Sequence, residues 1–187
     1  MTATKKTKST SVTRNALLAA AGRVMVAHGS KALTLETVAR EAGVSKGGLL
    51  YHFPNKEALI AGMLQQLIDE RAVLLEHELE QDDAPNTPGH WLRAYIRSHG
   101  KFDAHSTATQ FSLLAAVAEN PELLQPIQEK FADWQRQIEA SGLDPAMATV
   151  IRLALDGLSF AHLLGLGVTE ESLQKQVIET LLKLARE

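Results

Sequence analysis

The chain has 187 residues and no cysteine, which excludes disulfides, thiol nucleophiles and thiolate metal sites. It contains no continuous apolar run long enough to span a bilayer and no signal-peptide pattern. The expectation is a cytoplasmic protein with no membrane partner. Internal repeats, low-complexity tracts and strand-like alternation are absent. Aromatic residues are few, with 2 Trp, 2 Tyr and 5 Phe. The net charge is only −3, from 19 Lys+Arg against 22 Asp+Glu.

That small net charge conceals a division. Residues 1–60 carry 9 basic and 3 acidic side chains, and residues 61–187 carry 10 basic and 19 acidic. A basic head on an acidic body is the asymmetry expected when one region binds polyphosphate and the other must not. The first residues, MTATKKTKST, hold three Lys and no apolar run. They read as a disordered basic arm over 1–11, able to touch a DNA backbone or simply solvated.

The most informative stretch is Thr34 to Lys56, TLETVAREAGVSKGGLLYHFPNK. Thr34 is placed to cap a helix, and Leu35, Val38, Ala39 and Ala42 follow at helical spacing. Gly43 can stop that helix in a left-handed conformation. Ser45 is placed to cap a second helix from Lys46 to Phe53, with Leu49 and Phe53 toward the core. Lys46, Gly47, Leu50, Tyr51 and His52 then face outward. Pro54 ends this helix and Asn55 can cap the next. Two helices joined by a Gly turn form the shape of a helix-turn-helix, whose second helix enters the major groove. Gly47 and Gly48 weaken that helix by about 1 kcal/mol each relative to Ala, but let a backbone approach DNA closely. Lys56, in the first turn of the next helix, meets the unfavourable end of its macrodipole, which suggests an anionic partner.

The remaining chain reads as helices throughout. The first runs from about Thr13 to His28. A long fourth helix covers about Lys56 to Gln81, followed by the loop Asp82–Asn86. Thr87-Pro88 is placed to open a fifth helix, to about Phe102. A sixth covers Ser106 to Ala118, and Asn120-Pro121 opens a seventh to about Ala140. Asp144 and Pro145 lead an eighth, apolar almost all round, ending at Gly165–Val168. Thr169 is placed to cap a ninth from Glu170 to Arg186, apolar on one side. Two such helices can pack against a second copy across a two-fold axis. A homodimer through about 145–165 and 170–186 is therefore expected.

Ala16 to Ile60 resembles the N-terminal domain of the TetR family of transcriptional regulators. The likeness rests on Ala27-His28-Gly29, Thr34-Leu35, Ala39-x-x-Ala42-Gly43-Val44-Ser45-Lys46-Gly47 and Tyr51-His52-Phe53-Pro54-Asn55-Lys56-Glu57-Ala58-Leu59. The run from Gly48 to Pro54, with Gly48 where the family usually has Thr and Leu50 where it has Tyr, resembles a subset that includes multidrug-sensing repressors. The resemblance implies an all-α protein: a three-helix DNA-binding domain over 12–56 and a helical bundle over 57–187 for effector binding and dimerisation. It implies a repressor, released from a palindromic operator when a small-molecule effector tilts the fourth helix. Lys46, Gly47, Leu50 and Tyr51 are the candidates for groove contact, and Thr34, Thr37, Tyr51, His52 and Lys56 for phosphates.

For an effector, Met63, Trp91, Tyr95, His99, Phe102, Phe111, Trp134, Asp156 and His162 are the candidate pocket residues. An acidic group among aromatics would suit a lipophilic, cationic, drug-like compound. Arg152 with Asp156, and His99 with Asp103, are spaced for local ion pairs. Scattered His99, Asp103, His105 and His162 leave a metal-responsive regulator as an alternative, though no metal or other cofactor is expected. A helical protein-interaction module is a further alternative. Enzyme readings fail on context. Gly157-Leu158-Ser159-Phe160-Ala161 lies mid-helix and lacks the last Gly of a nucleophile elbow. His77-Glu78 lacks the second His of a zinc protease motif, and Gly165-Leu166-Gly167 is too short for a dinucleotide loop.

Overall fold

A computed structural model describes the backbone of residues 3–99, 104–166 and 170–187, and the side chains of 14–99, 107–118, 120–166 and 170–187. Every regular element among the described residues is helical. These are α1 (Ala3–His28), α2 (Leu35–Glu41), α3 (Lys46–His52), α4 (Lys56–Glu80), α5 (His90–His99), α6 (Ala104–Glu119), α7 (Gln125–Glu139), α8 (Pro145–Leu163) and α9 (Glu171–Leu184). Short three-ten turns at Ser30–Ala32 and Pro121–Leu124 precede α2 and α7.

The caps that start and stop these helices are local and specific. The Thr34 hydroxyl accepts from the Thr37 amide at 3.1 Å, and the Thr37 hydroxyl accepts from the Thr34 amide at 3.0 Å. This is a reciprocal capping box with Thr in the place usually held by Glu or Gln. Gly43 ends α2 at φ 66°. Ser45 Oγ accepts from the Gly48 amide at 3.1 Å, Asn55 Oδ1 from the Ala58 amide at 2.7 Å, and Asp144 Oδ1 from the Met147 amide at 2.8 Å.

Several boundaries differ from the sequence expectation. Helix α1 begins at Ala3 rather than near Thr13, so it runs through most of the segment read as a disordered arm. That segment contains no Gly or Pro, so nothing in it forces a helix to stop. Helix α5 begins at His90, not at Thr87-Pro88, because Gly89 takes φ 77° and a left-handed residue cannot sit inside a right-handed helix. Glu170 occupies the N-cap of α9, and Thr169 lies outside the described residues.

The contacts divide the chain into two units: Met1–Gln66 with Ala108–Gln125, and Leu67–Thr107 with Pro126–Glu187. The first unit thus includes the start of α4 and most of α6, elements that the expected boundary at residue 56 assigned elsewhere. Leu17, Met25, Leu33, Val38, Leu49, Phe53, Leu59 and Leu113 are buried there. A Cβ at Gly62 would lie 2.7 Å from the Phe53 ring, so that glycine permits close packing of α4 on the residue that ends α3.

The second unit is built around Leu92, Tyr95, Ile96, Trp134, Ile138, Ile151, Leu155 and Leu181. Helix α8 contributes Ala148, Ile151 and Leu155 to the interior, while Val150, Leu153 and Phe160 are 59%, 54% and 53% exposed. By length and composition α8 could cross a membrane, contrary to the expectation that nothing in the chain is long and apolar enough. Its Arg152–Asp156 ion pair at 2.7 Å and its buried stripe mark it instead as a core helix with one uncovered face.

Candidate nucleic-acid interface and aromatic cluster

Helix α3 buries Leu49 and is followed by buried Phe53, which turns its other face outward. Tyr51 is 77% exposed and Leu50 38%. The Tyr51 ring meets His52 edge-on at 5.1 Å. A Cβ at Gly47 would meet nothing within 4 Å. No neighbour in the protein requires glycine there, although Ala would favour the helix.

The basic candidates carry partners not anticipated from the sequence. Lys46 Nζ lies 2.5 Å from Glu36 Oε1 across α2 and α3. The Lys46 ammonium holds the Glu36 carboxyl below its ordinary value. Lys56 Nζ donates to the Ser30 carbonyl at 3.2 Å. The Thr37 hydroxyl donates to the Ala32 carbonyl at 2.9 Å, so Thr34 and Thr37 are engaged in capping. Arg23 Nε donates to Glu41 Oε1 at 2.7 Å, an ion pair from α1 to α2.

The predicted effector residues fall into separate groups. Trp91, Tyr95, His99, Trp134 and Asp156 come together in the second unit. Trp91 stacks on Tyr95 at 5.4 Å, and Tyr95 meets His99 at 4.1 Å and Trp134 at 5.8 Å. The spacing of Trp91, Tyr95 and His99, each four residues apart, puts the three on one face of α5. The Tyr95 hydroxyl donates to Asp156 Oδ1 at 3.0 Å, and Arg152 Nη1 donates to Asp156 Oδ2 at 2.7 Å. Met63 and Phe111 lie in the other unit. Both belong to the first unit, Met63 buried and Phe111 52% exposed. His162 is exposed. Phe102 and Asp103 lie outside the described residues, as does the His105 side chain. Among the described residues no three His, Asp or Glu side chains form a group able to hold a metal.

Burial dominates the chemistry of the cluster. It pushes the His99 imidazole down to about 3, reinforced by the nearby Arg71 guanidinium, so the ring is neutral at pH 7. Nδ1 must carry its proton, because it lies 2.9 Å from the Tyr95 carbonyl, which can only accept. Burial raises the Asp156 carboxyl in spite of Tyr95, Arg152 and Arg71, and together with Asp156 it raises the Tyr95 hydroxyl.

A third group, missed in the sequence, joins the loop after α4 to the end of α9. Arg93 is 1% exposed and Asp82 is fully covered, with Arg93 Nη2 2.6 Å from Asp82 Oδ2. Arg97 Nη1 reaches Asp82 Oδ1 at 2.7 Å. Burial alone would raise the Asp82 carboxyl, but bonds from Arg93 and Arg97 hold it well below its ordinary value. Arg93 also donates to the carbonyls of Pro88 and Ala84, at 2.8 and 2.9 Å, and of Ala185 at 3.3 Å. A hollow of about 430 Å³ beside Arg93, Gly142 and Arg186 adjoins this group, but these bonds already occupy the Arg93 donors. The adjacent charges of Asp82-Asp83 and Arg93-x-x-x-Arg97 were the available signal for this network.

Comparisons with known proteins agree with this architecture. Residues 17–63 match the family model for bacterial regulatory proteins of the tetR family, and residues 89–186 match the tetracyclin repressor-like C-terminal domain. The HTH-type transcriptional regulator RutR of Escherichia coli (strain K12) is 41% identical over 93 residues, which make up 50% of this chain and 42% of RutR. The match thus spans less than half the length of that curated relative. A solved member of the TetR family from Streptomyces coelicolor A3 superposes over 92% of this chain and 97% of its own, with TM-score 0.67 and 26% identity. The multidrug binding protein EbrR complexed with ethidium does so over 92% and 97%, with TM-score 0.63 and 25% identity. The helix-turn-helix unit and the helical body both have counterparts in one family, and they lie in the same order along this chain: it belongs to the TetR family of transcriptional regulators.

Proposed function

We propose that the chain is a homodimeric repressor that reads a palindromic operator through α3 and leaves it when a small molecule binds near the Trp91–Tyr95–Trp134 cluster. The observation that carries the DNA half is the open face of α3. Tyr51 is 77% exposed, and Gly47 keeps a costly glycine where the protein itself has room for a Cβ. Close approach by an external backbone accounts for both. Lys46, Gly47, Leu50 and Tyr51 read base edges in this account. Thr34, Thr37, His52 and Lys56 position the phosphates, the two threonines by fixing the start of α2.

Dimerisation through α8 and α9 covers Val150, Leu153 and Phe160 and sets the spacing of the two heads. Helix α4 has residues in both units and is the covalent route by which an occupied body alters the head. An effector that favours the non-binding spacing by a few kcal/mol suffices to release DNA. A regulator of this kind works where the chromosome is, in the cytoplasm. Titration of duplex DNA binding against salt tests the reading: affinity must fall steeply as salt rises. Binding that ignores salt would move the hairpin to protein contacts instead.

A further inference from the structure

The charges around Asp156 do not suit the lipophilic cation that an acidic group among aromatics first suggests. Asp156 is already held by the Tyr95 hydroxyl and by Arg152. A second guanidinium, Arg71, acts on the same three groups, Tyr95, His99 and Asp156. His99 is neutral, so among the described residues two cations stand against one carboxylate.

The donors of both guanidiniums are also underused. Among the described residues half-buried Arg71 makes one hydrogen bond, from Nη1 to the Ser98 carbonyl at 3.0 Å. Among the described residues it has no carboxylate within ion-pair distance, and burial pulls it below its ordinary value. Arg152 Nε is buried with no partner. A guanidinium presents five donors in a rigid fork that matches a carboxylate, and a covered charge lacking its counter-ion is costly until one arrives. The aromatic rings of Trp91, Tyr95 and Trp134 flank this surplus.

Building on the effector reading above, we propose that the effector is an aromatic acid, with its carboxylate on Arg71 in the field of Arg152 and its ring against Trp91. Asp156 then serves as a positioning residue that holds Arg152, and it does not receive a cation. This sets the chain apart from EbrR, whose solved complexes include ethidium and malachite green.

The test uses the full chain on duplex DNA with three probes of one shape: indole-3-acetate, its neutral amide and the cation tryptamine. Binding is followed by isothermal titration calorimetry and release by anisotropy of labelled DNA. The acid binds most tightly and releases DNA. Arg71→Met weakens acid binding at least about tenfold, the scale of one charge-assisted contact, and changes amide binding less than threefold. Arg71→Lys keeps the acid-over-amide preference and guards against loss through misfolding. Tryptamine or ethidium binding as tightly as the acid overturns the proposal, as does acid binding indifferent to Arg71→Met. So does DNA binding that persists while no probe binds, which would leave the DNA reading intact. Loss of the regulator reading would show separately, as no salt-sensitive DNA binding in the protein without any probe.

Discussion

Asp82 and Arg93 meet as a two-pronged ion pair, Nη2 to Oδ2 at 2.6 Å and Nε to Oδ1 at 3.2 Å, with side chains 0% and 1% exposed. Removing one partner strands the other charge in the interior. Asp82→Asn is expected to cost about 3 kcal/mol or more. Asp83→Asn, on an aspartate that is 64% exposed and paired with Arg186, is expected to cost under about 1 kcal/mol. Urea denaturation of both variants at pH 7 checks this, and equal losses would refute the distinction.

If Lys46 contacts DNA as proposed, Glu36 competes for it through their 2.5 Å ion pair. Glu36→Gln releases that ammonium, so affinity for duplex DNA rises a few-fold at low salt and the log–log salt slope steepens by up to about one unit. An unchanged slope would show that Lys46 makes no phosphate or groove contact.

Readout and positioning separate by substitution. Tyr51→Ala relaxes sequence preference, with operator affinity falling about tenfold or more and random-duplex affinity barely changing. Lys56→Ala weakens both by similar factors. Anisotropy titrations on an operator and a scrambled duplex decide between these roles, and a common response to both changes would sink the division.

Stability has an acid-side signature. Burial holds His99 at about 3 against an ordinary 6.5, so the unfolded chain binds the extra proton. Stability therefore falls as pH drops below about 6.5, by at most about 1.4 kcal/mol per pH unit from this group. Asp82 is lowered from 3.8 and adds a loss of the same sign below that value. Asp156 is raised and offsets part of it, since the folded form takes its proton first. Thermal melts from pH 7 to pH 4 should show the decline, and His99→Gln should flatten it.

The uncovered side of α8 predicts association. Leu153→Glu combined with Phe160→Glu should give a monomer with unchanged helical content, read by light scattering and circular dichroism. A variant that stays dimeric would move the interface elsewhere.

Much of this was legible in the sequence where the cause is local. Thr34, Ser45, Asn55 and Asp144 cap as their side chains suggest, because a cap depends on only a few consecutive residues. Gly43 is left-handed as its place in the turn requires. What was not legible depends on distant partners. Asp82 read as an ordinary loop residue, although its environment comes from Arg93 and Arg97 on the next helix. Apolar character did not say that Met63 and Phe111 belong to one unit and Trp91, Tyr95 and Trp134 to the other. Lys46 read as facing outward, without its partner Glu36, because Glu36 lies on the preceding helix, ten positions away.

Gly89 carries a further consequence. A side chain there would overlap the Ala185 carbonyl oxygen, at a φ of 77° that also strains any other residue. The seating of α9 therefore depends on a bare hydrogen at position 89. In a saturation screen scored only by regulation, position 89 would pass for a functional residue. Scored by abundance as well, it would prove to be a clearance requirement at the end of α9.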